Sequence, residues 1–538
     1  MRIVQRWIAL VAREHGRENK TMLGPRISLR SVSIVSICSF LLLGLQLAFQ
    51  MFLAAAFGAG AAMDAYVAAI ALPAVISSVL AGAVSYVFVP RFIDAWTNDA
   101  PEAAWALAGS CLAIGFLVTA SLALACTLAA EPIVAFLQPG FLPDRTVTAV
   151  ALLRLLGWLA VINTCVSLLQ AIHHCRGQFA TPALGALAGM AVTIIFAAVF
   201  YRRIGVEAVA VGTLSGALIN AVILGPILAR PAPWTWVGRE ALWRILRPML
   251  PLVVIGGYCQ VDPLVDRYLA SSMRLGSIAH LGYAGRINAA ALLVATSGLS
   301  YVAFPVLAGH SASGNREGLR ELLAQAIRLL MLVLLPLVAA ITLYTQDVLA
   351  ELFERGRFSS SDTQAVAWLV VLYLGVLVGG GFGEILAKTF YALSDVRTPL
   401  AIGACGLTLG VALKIWLSPD YRTSGLAVAT SVYYLLNATA LGAILHWRLG
   451  GLASRALLAT AGRAAASTIA ATTVAWSVTR TGIHFDAIAA VVVGAAVYLA
   501  ALWLLREPIL VSRDRSLAAV PAGRLPRMNA ARVDGHES

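Results

Sequence analysis

Charged side chains lie inside otherwise apolar stretches of this chain, where hydrocarbon makes them costly and a functional role is the default expectation. These candidates are Arg154, Asp262, Asp266, Arg267, Arg286, Glu384, Lys388 and Lys414. An arginine presents a planar fork of donors that pairs with phosphate oxygens. Arg286 therefore predicts a ligand for a phosphate-bearing substrate, and the alternative is a structural partner for Asp262 or Asp266.

Two aspartates in this set have helical spacing. Asp262 and Asp266 are in i, i+4 positions, so a helix places them on one face. Together they could bind a cation or a proton and couple transport to an ion gradient. The alternative is that each forms an ion pair with Arg267, Arg286 or Arg274.

Two further positions suggest moving parts. Glu384 and Lys388 are spaced for an intrahelical ion pair and follow three glycines at 379–381 that could act as a hinge. They are read as an ion pair or as part of a gate. Asp64 begins a predicted helix, where a carboxylate caps exposed N–H groups. Capping alone explains Asp64, but it is also a candidate gate residue that closes against the second half of the chain.

The composition indicates what positions these residues. The chain has 538 residues, of which 60% are hydrophobic and 12% are charged. Its mean hydropathy is +0.84. This composition predicts an all-α polytopic membrane protein. Apolar runs predict about fourteen membrane spans, at 32–57, 65–92, 104–128, 149–172, 183–201, 206–229, 246–270, 278–308, 322–345, 364–389, 399–417, 424–446, 456–479 and 485–505.

The first twelve predicted spans form two copies of one unit. SYVFVP at 85–90 reappears as SYVAFP at 300–305, and Thr181-Pro182 reappears as Thr398-Pro399. AVAVGTLSGALIN, which ends at Asn220, matches GLAVATSVYYLLN, which ends at Asn437. The matches stand in the same order with a nearly constant offset. Because each copy has an even number of spans, the copies are parallel and are related by an axis along the membrane normal.

We therefore predict five regions. They are a basic arm at 1–30, repeat one at 31–230, repeat two at 231–448, two further helices at 449–505 and a disordered tail at 506–538. The net charge of +13 follows from topology rather than from nucleic acid, since loops on the N-terminal side hold about three times as many Lys and Arg residues as the others. Both termini are thus predicted to be cytoplasmic. The arm is predicted either to lie on anionic lipids or to be a disordered tail.

Several segments resemble one family when taken together. They are FGAGAAMDAYVAAIALP, SYVFVPRF, QPGF, LVDRYLASSMRLGSIAHLGYAGRI, FPVLA, LFERGRF and FYALSDVRTP. Their order is similar to that in the MurJ/MviN family, the lipid II flippases of the multidrug/oligosaccharidyl-lipid/polysaccharide exporter superfamily. The resemblance covers roughly residues 50–450.

The resemblance implies a two-lobed flippase for an undecaprenyl-diphosphate-linked glycan in the bacterial inner membrane, most simply lipid II. It matches family site positions to Asp64, to Arg286 and to the Asp266-Arg267 pair. Arginines that the family tends to carry in the first two helices are missing here, where Leu41 to Phe49 are uncharged and Ser77-Ser78 replace a basic pair. This difference favours a rival substrate, the lipid-linked repeat unit of an exopolysaccharide or O-antigen.

Two other readings stay open. One is a cation-coupled drug exporter of the same superfamily, and the other is a non-transporting scaffold for cell-envelope enzymes. The chain has no Walker loop, GxSxG or HExxH motif. We therefore expect a secondary transporter rather than an enzyme, with no cofactor and no metal. The expected partners are a lipid-linked saccharide, anionic lipids and wall- or polysaccharide-synthesis enzymes, without nucleic acid.

Overall fold

A computed structural model describes residues 29–99, 101–229, 239–452, 454–478, 486–505 and 507. The predicted arm at 1–30 and the predicted tail at 506–538 lie outside these residues, apart from Leu29, Arg30 and Glu507. The described residues form helices and contain no strand, as predicted. The α-helices are α1 Leu29–Phe57, α2 Ala61–Ala83, α3 Val89–Asp94, α4 Pro101–Leu128, α5 Ala130–Leu137, α6 Pro143–Leu156, α7 Leu159–Cys175, α8 Ala180–Ile204, α9 Glu207–Leu224, α10 Arg239–Cys259, α11 Val261–Ser271, α12 Ser277–Ala312, α13 Arg316–Phe353, α14 Ser360–Leu372, α15 Leu374–Ala392, α16 Arg397–Arg448, α17 Ser454–Val478 and α18 Asp486–Leu504.

Eleven helical stretches in the described part of the chain are long and apolar enough to cross a membrane. The longest, Arg397–Arg448, covers two predicted spans, because its backbone leaves the helical region at Arg422, where φ is 51°. The matching residue of repeat one is Gly205, with φ of 64° between α8 and α9. Helices α17 and α18 occupy the places of the last two predicted spans.

One irregularity follows directly from a proline. Pro90 has no N–H, so the helical turn before it cannot close its regular hydrogen bond. The chain forms a π-helix at Val84–Phe88 just before Pro90, and α3 continues from there. A second π-helix spans Ala95–Asp99 and a 3₁₀-helix spans Gly225–Ala229.

The chain packs as two units. The first comprises the described residues within 29–294 and 345–443, which include the described part of repeat one and most of that of repeat two. Its core includes Phe88 and Phe92, which pack with residues of α4 and α7. In both repeats an asparagine fills the space above a glycine of the neighbouring helix. A Cβ at Gly189 would meet the side chain of Asn220, and a Cβ at Gly406 would meet that of Asn437.

The second unit comprises residues 295–344 and the described residues from 444 to 507. Its apolar core includes Leu332 of α13, Ala464 and Ala471 of α17, and Leu502 of α18. The Tyr498 hydroxyl donates to the carbonyl of Leu332 at 2.7 Å. These contacts join the end helices to the first half of α13.

An ion cluster closes the same unit beyond α18. The Glu507 carboxylate is fully buried and accepts hydrogen bonds from Arg328 at 2.7 Å, Arg463 at 2.9 Å and Thr460 at 3.0 Å. Burial raises the pKa of the Glu507 carboxyl, but the hydrogen bonds from Arg463, Arg328 and Thr460 outweigh burial and bring this pKa below its ordinary value. Glu507 is therefore ionised at neutral pH and can hold both guanidinium groups.

Candidate functional site

A cavity of about 460 Å³ lies within the first unit, between the two repeats. Repeat one contributes Val67 and Ile70 of α2, one to two turns along the helix from Asp64. Repeat two contributes residues of α11, α12, α15 and α16, together with Tyr373 between α14 and α15. The polar members of this lining are Asp262, Asp266, Arg267, Arg286, Asn288, Tyr373, Thr430 and Tyr434. The predicted ligands Arg286, Asp266 and Arg267 thus meet in one cavity, with Asp262.

The two aspartates share one buried cation. The Nζ atom of Lys414 lies 2.5 Å from Asp262 Oδ1 and 2.8 Å from Asp266 Oδ1, and the lysine side chain is 0% exposed. The hydroxyl of Tyr433 donates to Asp262 Oδ2 at 3.1 Å. The expectation of an arginine partner is wrong, since a lysine of α16 holds both carboxylates.

The two arginines of the cavity bond to groups other than these carboxylates. Arg267 donates to the carbonyl of Pro263 on its own helix at 3.2 Å. Arg286 donates to the side-chain oxygen of Gln50 on α1, which joins the two repeats at this point. With three cations and two carboxylates, the cluster around the cavity carries one net positive charge. Such a site suits an anion with several acceptor oxygens.

Asp64 caps a helix of the other repeat rather than its own. It is 1% exposed, and its two oxygens each accept a 2.8 Å hydrogen bond, from the N–H groups of Gly276 and Ala279 at the start of α12. Arg145 lies 3.7 Å away and balances its charge. Unpaired N–H groups at a helix start favour an anion. This contact closes the two repeats together at the predicted outer end of the cavity.

A glycine of each repeat packs against the other repeat at this closure. Gly140 of repeat one donates its N–H to the Ser271 hydroxyl at 3.3 Å, at the end of α11. Gly356 of repeat two packs on Ala55 of α1, where a Cβ would strike the Ala55 carbonyl. Gly356 also has φ of 62°, which favours glycine. The alignment that pairs Gly140 with Gly356 also pairs Ala55 with Ser271. The contacts are therefore related by the twofold relation expected of parallel repeats.

The side-chain pairs beside this closure follow the same relation. Asp64 and Arg145 pair in repeat one, whereas His280 and Asp362 pair at 2.9 Å in repeat two. Asp362 also forms a capping box with Ser359 at the start of α14. The equivalent positions hold a pair in both repeats. The acidic residue is the first of the two along the chain in repeat one and the second in repeat two.

Glu384 and Lys388 form the intrahelical ion pair that their spacing predicts, with 2.7 Å between Nζ and Oε1. They are not among the residues that line the cavity in the described part of the chain. Their side chains are 35% and 28% exposed. The gate reading of this pair stays a prediction.

Two partners in this site escape sequence reasoning. The sequence marks Lys414 as a charge inside a span, but nothing local links it to Asp262 and Asp266, which lie far earlier in the chain. Gln50 attracts no attention because it follows the uncharged stretch at 41–49. One signal could have found both, since an intramembrane amide or lysine needs a polar partner on a facing helix.

Comparisons with known proteins agree with this architecture. A family model described as "Lipid II flippase MurJ" matches residues 53–493. A "Probable lipid II flippase MurJ" of Rhizobium meliloti is 27% identical over 417 residues, which covers 74% of this chain and 77% of that protein. A "Lipid II flippase MurJ" of Burkholderia cenocepacia is 24% identical and covers 73% and 78% of the two chains.

Solved structures share the fold. One titled "Lipid II flippase MurJ, inward closed conformation" has a TM-score of 0.77 and 20% identity, and the match covers 89% of this chain and 99% of that one. A multidrug resistance MATE family transporter of the MOP superfamily, in an inward-facing conformation, has a TM-score of 0.64 and 16% identity, with 78% and 98% covered. These matches confirm the predicted all-α fold.

Proposed function

Since the chain belongs to the family of the lipid II flippase MurJ, we propose that it is a lipid II flippase. It moves an undecaprenyl-diphosphate-linked glycan precursor from the cytoplasmic to the outer leaflet by alternating access. The chain is a multi-pass membrane protein, and we place it in the bacterial inner membrane with both termini cytoplasmic. The charge asymmetry of its loops supports this orientation.

The observation that carries this proposal is the net positive cavity between the repeats. Arg267 and Arg286 both line it, and among the described residues neither forms an ion pair with the aspartates there, because Lys414 holds both carboxylates. Apart from the bonds to Pro263 and Gln50, their donors are thus available to a diphosphate, which needs persistent positive charge and several hydrogen bonds. Tyr373, Tyr434 and Asn288 offer further polar and aromatic surface for a sugar headgroup.

The closure at Asp64 supplies the moving part. To open the cavity outward, the Asp64 carboxylate must leave the N–H groups of Gly276 and Ala279, which are its partners in the closed arrangement. The two repeats would then rock against each other around the fixed cavity. Because the chain lacks a nucleotide-binding motif, the energy comes from the membrane potential, an ion gradient or consumption of the product.

A second substrate has one specific observation in its favour. The wall that repeat one gives to the cavity, Val67 and Ile70, is apolar. The basic residues that the family resemblance leads us to expect in the first two helices are missing from the sequence. A lipid-linked repeat unit of an exopolysaccharide or O-antigen is therefore the alternative substrate.

Complementation tests the proposal. Cells depleted of their lipid II flippase should grow when they express this chain and should lyse when they express Arg286→Ala at equal membrane abundance. Arg286→Lys should rescue only in part, since an ammonium keeps the charge but loses the fork. Arg202→Ala serves as the matched control, because Arg202 is an exposed arginine at the end of α8.

The other outcomes discriminate between the rivals. Failure of the wild type, despite normal insertion, would exclude lipid II and direct the same assay to cells that lack an exopolysaccharide flippase. Equal rescue by wild type and Arg286→Ala would exclude Arg286 as a ligand. A scaffold would restore assembly of the wall-synthesis enzymes without any change in the lipid II exposed on the outer leaflet.

A further inference from the structure

The strongest feature that the proposed function leaves unexplained is the lysine behind the cavity. The Lys414 side chain is 0% exposed, and it lies 2.5 Å and 2.8 Å from oxygens of Asp262 and Asp266. Both aspartates line the cavity. The ammonium thus sits at the point between the two carboxylates where a bound metal cation would neutralise them.

Electrostatics explains why the three groups occur together. Two carboxylates this close repel each other, and a buried lysine without a counter-charge is equally unfavourable. Each group therefore requires the others. Tyr433 adds a hydrogen bond to the remaining oxygen of Asp262 at 3.1 Å. Asp266 Oδ1 has no hydrogen-bond partner within the described part of the chain, so the ammonium holds Asp266 by charge, and it occupies the position between the two carboxylates that a metal ion would need.

Repeat one shows the same positions without charge. In the alignment that pairs Gly140 with Gly356, Gln46 and Gln50 correspond to Asp262 and Asp266. Amides at these positions need no cation. The two repeats therefore differ by exchange of a neutral pair for an acidic pair.

The lysine follows the same exchange. In the alignment that pairs Gly205 with Arg422, Ala197 corresponds to Lys414, and Ala197 is fully buried in α8. The helix packing thus accepts an alanine at this position. Lys414 is present for the two carboxylates rather than for the packing of the repeat.

We propose that Lys414 is a tethered cation, which permanently occupies the site that Asp262 and Asp266 would otherwise offer to a coupling ion. The transport half of this inference rests on the proposed function, whereas the occupancy of the carboxylate pair does not. A flippase with such a site runs without sodium or potassium at this position. Its cavity keeps its positive charge whatever the ion gradient.

Removal of the ammonium tests the inference directly. In Lys414→Met the two carboxylates lose their cation, so the purified full-length chain should unfold at a lower temperature in choline chloride. NaCl or CaCl₂ at equal ionic strength should raise that temperature again by several degrees. The wild type should respond equally to choline and to sodium. Lys388→Met is the matched control, because it removes a lysine from a single, partly exposed carboxylate and should show no such recovery.

Two results would overturn the inference. One is a wild type that sodium stabilises more than choline does, and the other is a Lys414→Met variant with no response to any cation. If Lys414→Met does not fold, the comparison moves to Lys414→Met with Asp262→Asn and Asp266→Asn. That triple variant should fold without any preference among cations, and misfolding of it in choline would contradict the proposal.

A transport measurement separates this inference from the proposed function. Rescue of flippase-depleted cells by the wild type should persist when a sodium ionophore collapses the sodium gradient. If rescue is lost under the ionophore and lipid II exposure returns once the sodium gradient is re-established, the tethered cation is overturned and the flippase assignment stays intact. No rescue under any condition would refute lipid II as the substrate, and the unfolding experiment would still decide the role of Lys414.

Discussion

The two repeats share their helix packing and differ in where they place charge. At the outer closure, Asp64 and Arg145 of repeat one are replaced by His280 and Asp362 in repeat two, so the acidic residue has moved to the partner helix. The pair in repeat one is anchored by two backbone N–H groups of the other repeat. The comparison indicates that duplication preserved the contacts and left the charges free to diverge.

The interior shows the same divergence on a larger scale. Repeat two carries Asp262, Asp266 and Lys414 as a set, whereas repeat one has glutamines and Ala197 at the matching positions. A buried charge survives only when its counter-charge is present. We infer that the charged set of repeat two is functional, because repeat one keeps the same helix packing without these charges.

The largest effect should come from copying one member of that set into repeat one. Ala197→Lys places an ammonium in a buried position of α8, where repeat one has no matching aspartates. An uncompensated buried charge costs about 3–5 kcal/mol. We therefore expect most of this variant not to fold. The amount of purified folded protein and its unfolding temperature measure this effect. Ala197→Met controls for the added volume, and an equal cost for Met and Lys would refute the electrostatic argument.

The next effect compares the two side-chain pairs of the closure. Asp64→Asn should weaken the closure by about 2 kcal/mol, because an amide offers one acceptor oxygen to two buried N–H donors. Asp362→Asn also leaves one acceptor oxygen for two partners, but 19% of the Asp362 side chain is exposed against 1% of Asp64, so water can replace the lost acceptor and the cost should be smaller, about 1 kcal/mol. Labelling of Ala59→Cys by an impermeant maleimide, added outside intact cells, reports how often the closure opens.

The labelling experiment has its own control. The parent chain with its native cysteines gives the background, and Asp144→Asn tests an exposed carboxylate near the closure. Faster labelling in Asp64→Asn than in Asp362→Asn would support the difference between the repeats. The reverse order would show that the His280 pair, rather than the cap on α12, holds the closure.

Much of the fold follows from the sequence, because the hydrocarbon thickness sets the length of an apolar helix. The predicted span 104–128 compares with Glu102–Leu128, and 183–201 compares with Ala180–Ile204. The repeat alignment also places Asn220 and Asn437 at equivalent packing positions. The stretch Arg397–Arg448 covers two predicted spans, which meet at the non-helical Arg422.

The site is harder to predict, because its pairings depend on how helices rotate about their axes. Spacing places Asp262 and Asp266 on one face, but no local pattern states which distant helix that face meets. The sequence therefore favours a nearby arginine as their partner, and Lys414 emerges only from the fold. Likewise, Asp64 is predicted at the start of its own helix, yet the helix that it caps belongs to the other repeat.

The smallest effect concerns a third difference between the repeats. Counted back from the matching Thr-Pro pairs, Glu384 and Lys388 correspond to Ser167 and Ala171, so repeat two again has a charged pair where repeat one is neutral. This pair is partly exposed, and Glu384→Gln should therefore change the free energy of unfolding by about 0.5 kcal/mol or less. Thermal unfolding together with complementation measures both consequences of the change. Normal stability with normal rescue would make the pair a feature of the helix surface. Normal stability with lost rescue would assign it to the gate, because the change from Glu to Gln would then affect transport without affecting the stability of the fold.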